Sequence, residues 1–156
     1  MTAKEYLSQA YRIDQRINSK IEQVRSLHEL AEKATSTLSD APRSASPNLQ
    51  PMEVIIAKMV DLEDEINFDI DTLVDLKREM YTLIRQVNST EHQAILEMRY
   101  LCFKPWEQIA VSLERSLQHT YRLHDKALEA FVNLIPVSAY SLIASKECWK
   151  SGSKCD

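Results

Sequence analysis

Residues 106–131 carry the side chains whose types and spacing are best suited to a chemical role. Two short amphipathic helices are predicted there, over 106–113 and 117–131, with a tight turn between them. This is a helix-turn-helix arrangement, whose second helix enters the major groove with its first exposed turns. Those turns carry an amide, a phenol and a guanidinium, on Gln118, Tyr121 and Arg122. Such groups can contact adenine, a phosphate and guanine, respectively.

Local signals fix the ends of these helices. Ser116 is placed as the N-cap of the second helix, and the small Ala110 lies where the two helices must cross. Thr90, with Gln93 three residues later, has the spacing of a capping box and predicts the start of a preceding helix. That helix is predicted to run over 91–101, followed by a turn at 102–104. Its predicted inward residues are Ile95, Met98 and Leu101.

The rest of the composition indicates an all-α protein. The chain has one Gly and five Pro among 156 residues, too few turn-forming residues for a β-sandwich or barrel. Apolar residues recur every three or four positions from Ala3 to about Leu38 and again from near Pro51 to Val87. Each stripe is too narrow to bury itself, so we expect a helical hairpin, a coiled coil with a second copy, or both.

The predicted domain organisation has three parts. Residues 1–88 form the hairpin or coiled-coil oligomerisation region, with a Ser/Pro-rich linker at about 39–51. Residues 89–131 form the helix-turn-helix. Residues 132–156 are a partly apolar tail with no functional interpretation, whose end is expected to be disordered.

Other kinds of chemistry find little support in the sequence. The His and Cys residues lack the close spacing of a zinc site, so no metal or other cofactor is expected. The single Gly excludes a Gly-rich phosphate loop, and no nucleophile–base pattern is present, so we expect no enzyme. The acidic residues crowded between Asp61 and Asp75 are interpreted as a solvated helix face.

The C-terminal motifs resemble region 4 of bacterial sigma factors. The shared features are Glu-Met-Arg-Tyr-Leu over 97–101, Trp-Glu-Gln-Ile-Ala over 106–110, and Lys-Ala-Leu over 126–128. A long N-terminal coil ahead of Phe-Lys-Pro-Trp-Glu-Gln-Ile-Ala is similar to the phage-encoded ArpU/RinA-type regulators of Gram-positive bacteria. The resemblance implies control of late phage genes, and activation more than repression.

Carried over by position, the resemblance assigns two sets of DNA contacts. The base-reading set falls on Leu117, Gln118, Tyr121 and Arg122. Leu117 departs from the sigma pattern, which has Arg there. The candidates for backbone contacts, which set register and salt dependence, are Lys104, Arg115, His119 and Lys126.

The charge balance predicts how such a unit would have to work. The net charge is -4, and residues 91–132 hold five Lys/Arg against six Asp/Glu, so a single copy should bind DNA weakly. A homodimer or higher oligomer joined by the coil would compensate through effective concentration. No secretion signal and no membrane span are found, so we expect a cytoplasmic protein. The resemblance to phage regulators implies that this is the cytoplasm of the host bacterium.

Two rival interpretations remain open. One is a small-terminase-like DNA-packaging protein, which would also combine a helix-turn-helix with an oligomerising coil. The other is a helical interaction protein that docks on RNA polymerase, because region 4 of sigma factors also touches the polymerase. A large ring would favour the first, and polymerase binding independent of DNA would favour the second.

Overall fold

The computed structural model describes residues 2–38 and 50–135, and this part of the chain contains helices and turns but no strand. The helices are α1 (Ala3–Leu38), α2 (Gln50–Ile84), α3 (Thr90–Leu96), α4 (Trp106–Ser112) and α5 (Leu117–Val132), with a π-helical turn at Glu97–Leu101. The predicted all-α class is therefore confirmed. Most of the predicted linker and nearly all of the predicted tail lie outside the described residues.

The two long helices end close to where their apolar periodicity predicts. α1 has the predicted bounds, and α2 begins one residue before Pro51, a residue suited to a first helical turn. α2 stops at Ile84, and a turn follows in which the Val87 amide donates to the Ile84 carbonyl oxygen at 3.0 Å. The last residue of the predicted stripe, Val87, is buried within this turn, not within the helix.

The described chain forms two compact units. Unit 1 contains residues 2–11 and 77–135, and unit 2 contains residues 12–38 and 50–76. The boundary predicted at residue 88 falls inside unit 1, which takes the start of α1 and the end of α2 together with all the later helices.

Unit 1 has a continuous hydrophobic core to which every helix contributes. Its fully buried side chains come from the start of α1, the end of α2, and α3 to α5. They include Tyr6, Leu7, Met80, Ile84, Ile95, Leu96, Ile109 and Phe131. The Tyr6 and Phe131 ring centroids lie 6.2 Å apart, and the Tyr6 hydroxyl donates to Glu79 Oε1 at 2.8 Å. The start of α1 is thus packed directly on α5.

Unit 2 is a pair of antiparallel helix segments with a buried ion cluster between them. Asp69 is completely buried and accepts hydrogen bonds from Arg16 Nε at 3.1 Å and Nη2 at 3.0 Å, and from Lys20 Nζ at 2.8 Å. Lys20 also pairs with Glu65 at 2.7 Å. Burial alone would raise the pKa of Asp69, but the contacts with Lys20 and Arg16 hold it below its ordinary value.

This arrangement corrects the interpretation of the acidic run from Asp61 to Asp75 as a solvated face. Most of its members are exposed, but Asp69 is an interior residue because α1 presents two cations opposite it. The sequence of α2 alone contains no sign of that partnership, since the cations lie about fifty residues earlier in the chain.

Candidate nucleic-acid interface

α3 begins one residue earlier than the predicted capping box implies. Its N-cap is Ser89, whose Oγ accepts a hydrogen bond from the His92 amide at 3.4 Å, so the prediction of Thr90 as the cap is wrong. Gln93 does not complete a capping box. Its Nε2 donates to the carbonyl oxygens of Val87 at 2.6 Å and Arg85 at 3.3 Å. This glutamine therefore fastens α3 to the turn that follows α2, because it satisfies two carbonyl groups of that turn.

The π-helical turn at Glu97–Leu101 changes which residues face the core. The Cys102 amide donates to the Glu97 carbonyl oxygen at 3.0 Å, five residues back, so one extra residue is accommodated in the turn. Ile95 is buried as predicted, but Met98 and Leu101 are only half-buried, and Tyr100 occupies the interior in their place. The predicted inward face is therefore corrected, because helical periodicity assumes an undistorted α-helix.

The turn between α4 and α5 has the N-cap and the small buried residue that the sequence predicts. Ser116 caps α5, with its Oγ accepting from the His119 amide at 3.3 Å, and Ala110 is buried. Glu114 adopts a left-handed conformation with φ of 53°, and the Arg115 amide reaches back to the Ala110 carbonyl oxygen at 2.9 Å. The left-handed residue reverses the chain so that α5 packs on α4. Glycine is the usual residue at such a position, so the sequence gives no signal for it.

An aromatic cluster packs α5 against α4 and the π-helical turn. The Trp106 ring lies 5.0 Å from the Tyr121 ring and 4.8 Å from the His124 ring, and the Arg99 guanidinium lies 4.6 Å above Trp106. His124 Nε2 is 2.9 Å from the Tyr100 hydroxyl, and both side chains are buried. Burial lowers the pKa of His124 and raises the pKa of Tyr100 to about 12. This pair was missed in the sequence because its members are 24 residues apart.

The four predicted base-reading residues are all exposed, and all lie in the first two turns of α5: Leu117, Gln118, Tyr121 and Arg122. Tyr121 differs from the others because its ring contacts Trp106, which restricts where its hydroxyl points. Beyond them the exposed charges of α5 are mixed, with Asp125 and Glu129 on either side of Lys126. The N-terminal half of α5, which contains no acidic residue, is therefore the part better suited to a polyanion.

The structure brings together some of the predicted backbone-contacting residues. His119 and Lys126 line one open pocket of about 620 Å³ with Arg122, next to Glu91 and Asp125. Arg115 lies near this group and pairs with Glu91 at 3.2 Å. Lys104 is half-buried and is not part of the pocket lining.

The described residues contain no candidate metal site and no membrane-spanning helix. No group of three or more His, Cys, Asp or Glu side chains in this part of the chain could hold a metal ion. None of the described helices combines the length and hydropathy needed to cross a membrane.

Residues 50–132, just over half of the chain, match DUF1492, described as a protein of unknown function. The chain belongs to the DUF1492 family. The DUF1492 match begins at the first residue of α2 and ends at the last residue of α5, and α1 lies before it. No curated protein and no solved structure matches the chain.

The buried His124 predicts that unit 1 loses stability in mild acid. Its folded-state pKa is below the ordinary value of 6.5, mainly through burial, with Asp125 raising it and Lys4 and Arg99 lowering it further. The unfolded chain therefore binds more protons, and the stability that neutral His124 contributes is lost as pH falls below about 6.5 towards the folded-state value.

Urea unfolding at pH 7.5 and pH 5.5 measures this effect. His124→Gln should remove part of the difference between the two pH values, whereas the exposed His119→Gln should leave that difference unchanged. Equal pH dependence in wild type and His124→Gln would show that this histidine does not carry the effect.

Proposed function

We propose that this DUF1492 protein is a sequence-specific double-stranded DNA-binding transcription regulator, and that α5 enters the major groove. The observation that carries the proposal is the α4–turn–α5 geometry, with the left-handed Glu114, the cap at Ser116 and the buried Ala110. These features support a helix-turn-helix, in which the start of the second helix is the part that reaches bases.

The surface at the start of α5 supports base reading. Gln118 and Arg122 are exposed and one turn apart, so both project from the same side of the helix. An amide can bind adenine and a guanidinium can bind guanine, each through two hydrogen bonds. Leu117, 42% exposed, offers an apolar contact for a thymine methyl group. Tyr121, held against Trp106, would donate to a phosphate from a fixed position.

Backbone contacts would come from the cations around this surface. Arg115, His119 and Lys126 lie on the same side as Arg122, and Lys104 would contribute from the loop before α4. Since acids are interspersed among these cations, one copy would bind weakly. We therefore propose a homodimer or higher homo-oligomer, in which two weak half-sites bind together. By resemblance, the proposed setting is late phage gene control in the bacterial cytoplasm, without a cofactor.

The decisive residue is Arg122, and its loss should weaken specific binding selectively. Arg122→Ala is expected to cost about 1–3 kcal/mol on the preferred site and to relax the base preference at one position, as for a bidentate guanine contact. The preferred DNA sequence is first selected from random fragments. The affinity of wild type and variant for it is then measured by fluorescence anisotropy across a salt series. Arg85→Ala is the matched control, because Arg85 is exposed in unit 1 but lies outside α5. Selection of no preferred sequence, or equal binding by wild type and Arg122→Ala, would count against base reading.

A second candidate is docking on RNA polymerase, and one observation favours it. Val111 on α4 is 78% exposed, and Leu117 lies beyond the turn, so apolar surface adjoins the proposed DNA-binding surface. Polymerase captured without DNA by wild type and by Arg122→Ala, but not by Val111→Glu, would favour this function over base reading.

A further inference from the structure

α2 carries a second apolar stripe that lies beside the side packed against α1, about 100° round the helix from it. Within unit 2 it consists of four β-branched residues, each 40–51% exposed: Ile56, Val60, Ile70 and Val74. Ile56 and Val60 are one turn apart, as are Ile70 and Val74, and the second pair follows the first by two heptads. All four residues therefore lie on one side of the helix. Exposed Glu63 and Asn67 lie between the pairs on the same side.

The core of unit 2 is itself incompletely covered. Among the described apolar side chains of α2 in this unit, none is fully buried, and Met59, Ile66 and Leu73 remain half-buried between the stripe and α1. Two helices alone cannot enclose a hydrophobic core, so a face of this kind normally packs against further helices. The half-buried residues and the stripe together form one surface, called here the α2 face.

We propose that a second copy of this chain covers the α2 face, with the two α2 helices antiparallel about a two-fold axis near residue 65. This proposal rests on the proposed function in one respect, the expectation that the protein is an oligomer. The choice of the α2 face does not depend on what unit 1 binds.

The antiparallel direction follows from the order of residues along the stripe. A two-fold axis near residue 65 places Ile56 opposite Val74 of the second copy, and Val60 opposite Ile70, so apolar residues meet only apolar residues. Glu63 then lies opposite Asn67, whose amide can donate to the carboxylate. A parallel pairing would instead place Glu63 opposite its own copy, and like charges in such a position destabilise the pair.

Charges at the border limit the strength of this association. Asp64 and Asp71 lie along one edge of the α2 face, and a two-fold axis brings the Asp64 side chains of the two copies near each other. Their repulsion is screened by salt, so the dimer should tighten as ionic strength rises. DNA binding should weaken over the same range, which separates the two kinds of association.

Sedimentation velocity of the full chain, over a concentration series without DNA, tests the surface. Val60→Glu is expected to weaken dimerisation by about a hundredfold or more, because two-fold symmetry introduces the buried carboxylate twice. Val54→Glu is the matched control: Val54 is 53% exposed, close to the 50% of Val60, but it lies on another side of α2. Circular dichroism would establish that both variants keep their helices. A monomeric wild type, or a dimer equally affected by both substitutions, would overturn the proposal.

Disulfide cross-linking tests the direction, in a chain whose three natural cysteines are replaced by serine. Mixing Ile56→Cys with Val74→Cys chains is expected to give linked dimers. Each variant alone should give none, because equivalent positions would be about 27 Å apart along the axis. Linked dimers from either variant alone would overturn the antiparallel arrangement. These measurements involve no DNA, so their failure is distinguishable from failure of the proposed function.

Discussion

Tyr6→Ala is expected to destabilise unit 1 by about 3–5 kcal/mol, as large aromatic-to-alanine changes do in a packed core. Tyr6 is 1% exposed, its ring contacts Phe131 of α5, and its hydroxyl is hydrogen-bonded to Glu79. The substitution would leave a cavity between α1 and α5, and Glu79 would lose a partner. A residue at the start of the chain would thus determine whether the candidate interface is folded.

Chemical denaturation followed by circular dichroism measures this effect, with Tyr81→Ala as the control. Tyr81 is 47% exposed and should cost no more than about 1 kcal/mol. If the proposed function is right, Tyr6→Ala should also lose DNA binding at temperatures where unit 1 is unfolded, although Tyr6 is outside α5. Equal stability losses in the two variants would mean that α1 is not an integral part of the unit that contains α5.

The features that the sequence predicts well are those set by local periodicity and capping. The bounds of α1, the start of α2, the cap at Ser116 and the small Ala110 all depend on residues a few positions apart, and the structure has them as predicted. The exposure of Gln118 and Arg122 follows from the same reasoning, because a stripe of buried residues on α5 fixes which side faces outward.

The features that the sequence does not reveal depend on contacts between distant residues or on backbone distortion. Gln93 has the spacing of a capping box, but the turn after α2 lies close enough to bind its amide instead. The π-helical turn moves Tyr100 inward, where it meets His124, and no periodic pattern predicts an inserted residue. Glu114 takes a left-handed conformation that its residue type does not favour.

The division into units is also set by distant contacts. The apolar periodicity of α1 and of α2 is unbroken. It therefore gives no reason to assign the start of α1 and the end of α2 to a different unit from the rest of these helices. Tyr6 packs against Phe131, while Tyr11 and Lys77 both contact the ring of Phe103, which lies in the loop before α4. These contacts attach the ends of the long helices to α3–α5, and they become visible only when the chain is folded.

Asp69→Ala is expected to destabilise unit 2 by about 3 kcal/mol, at the lower end of the range for breaking a buried ion pair. Asp69 is completely buried, so its removal leaves Lys20, which is also buried, with less compensation. The cost is held down because Lys20 keeps Glu65 and because the Arg16 side chain is half-exposed and can regain water.

Amide hydrogen exchange along α2, together with thermal unfolding, would measure this change. Asp61→Ala is the matched control, since Asp61 is exposed on the same helix, away from the α2 face, and its loss should change stability by less than about 0.5 kcal/mol. Because the folded-state pKa of Asp69 is lowered, its contribution is present above the ordinary value of 3.8 and is lost as pH falls below it. The Asp69→Ala variant should therefore lose less stability than wild type between pH 5 and pH 3. A wild type and an Asp69→Ala variant with the same acid dependence would show that the ion pairs of this carboxylate do not stabilise the hairpin.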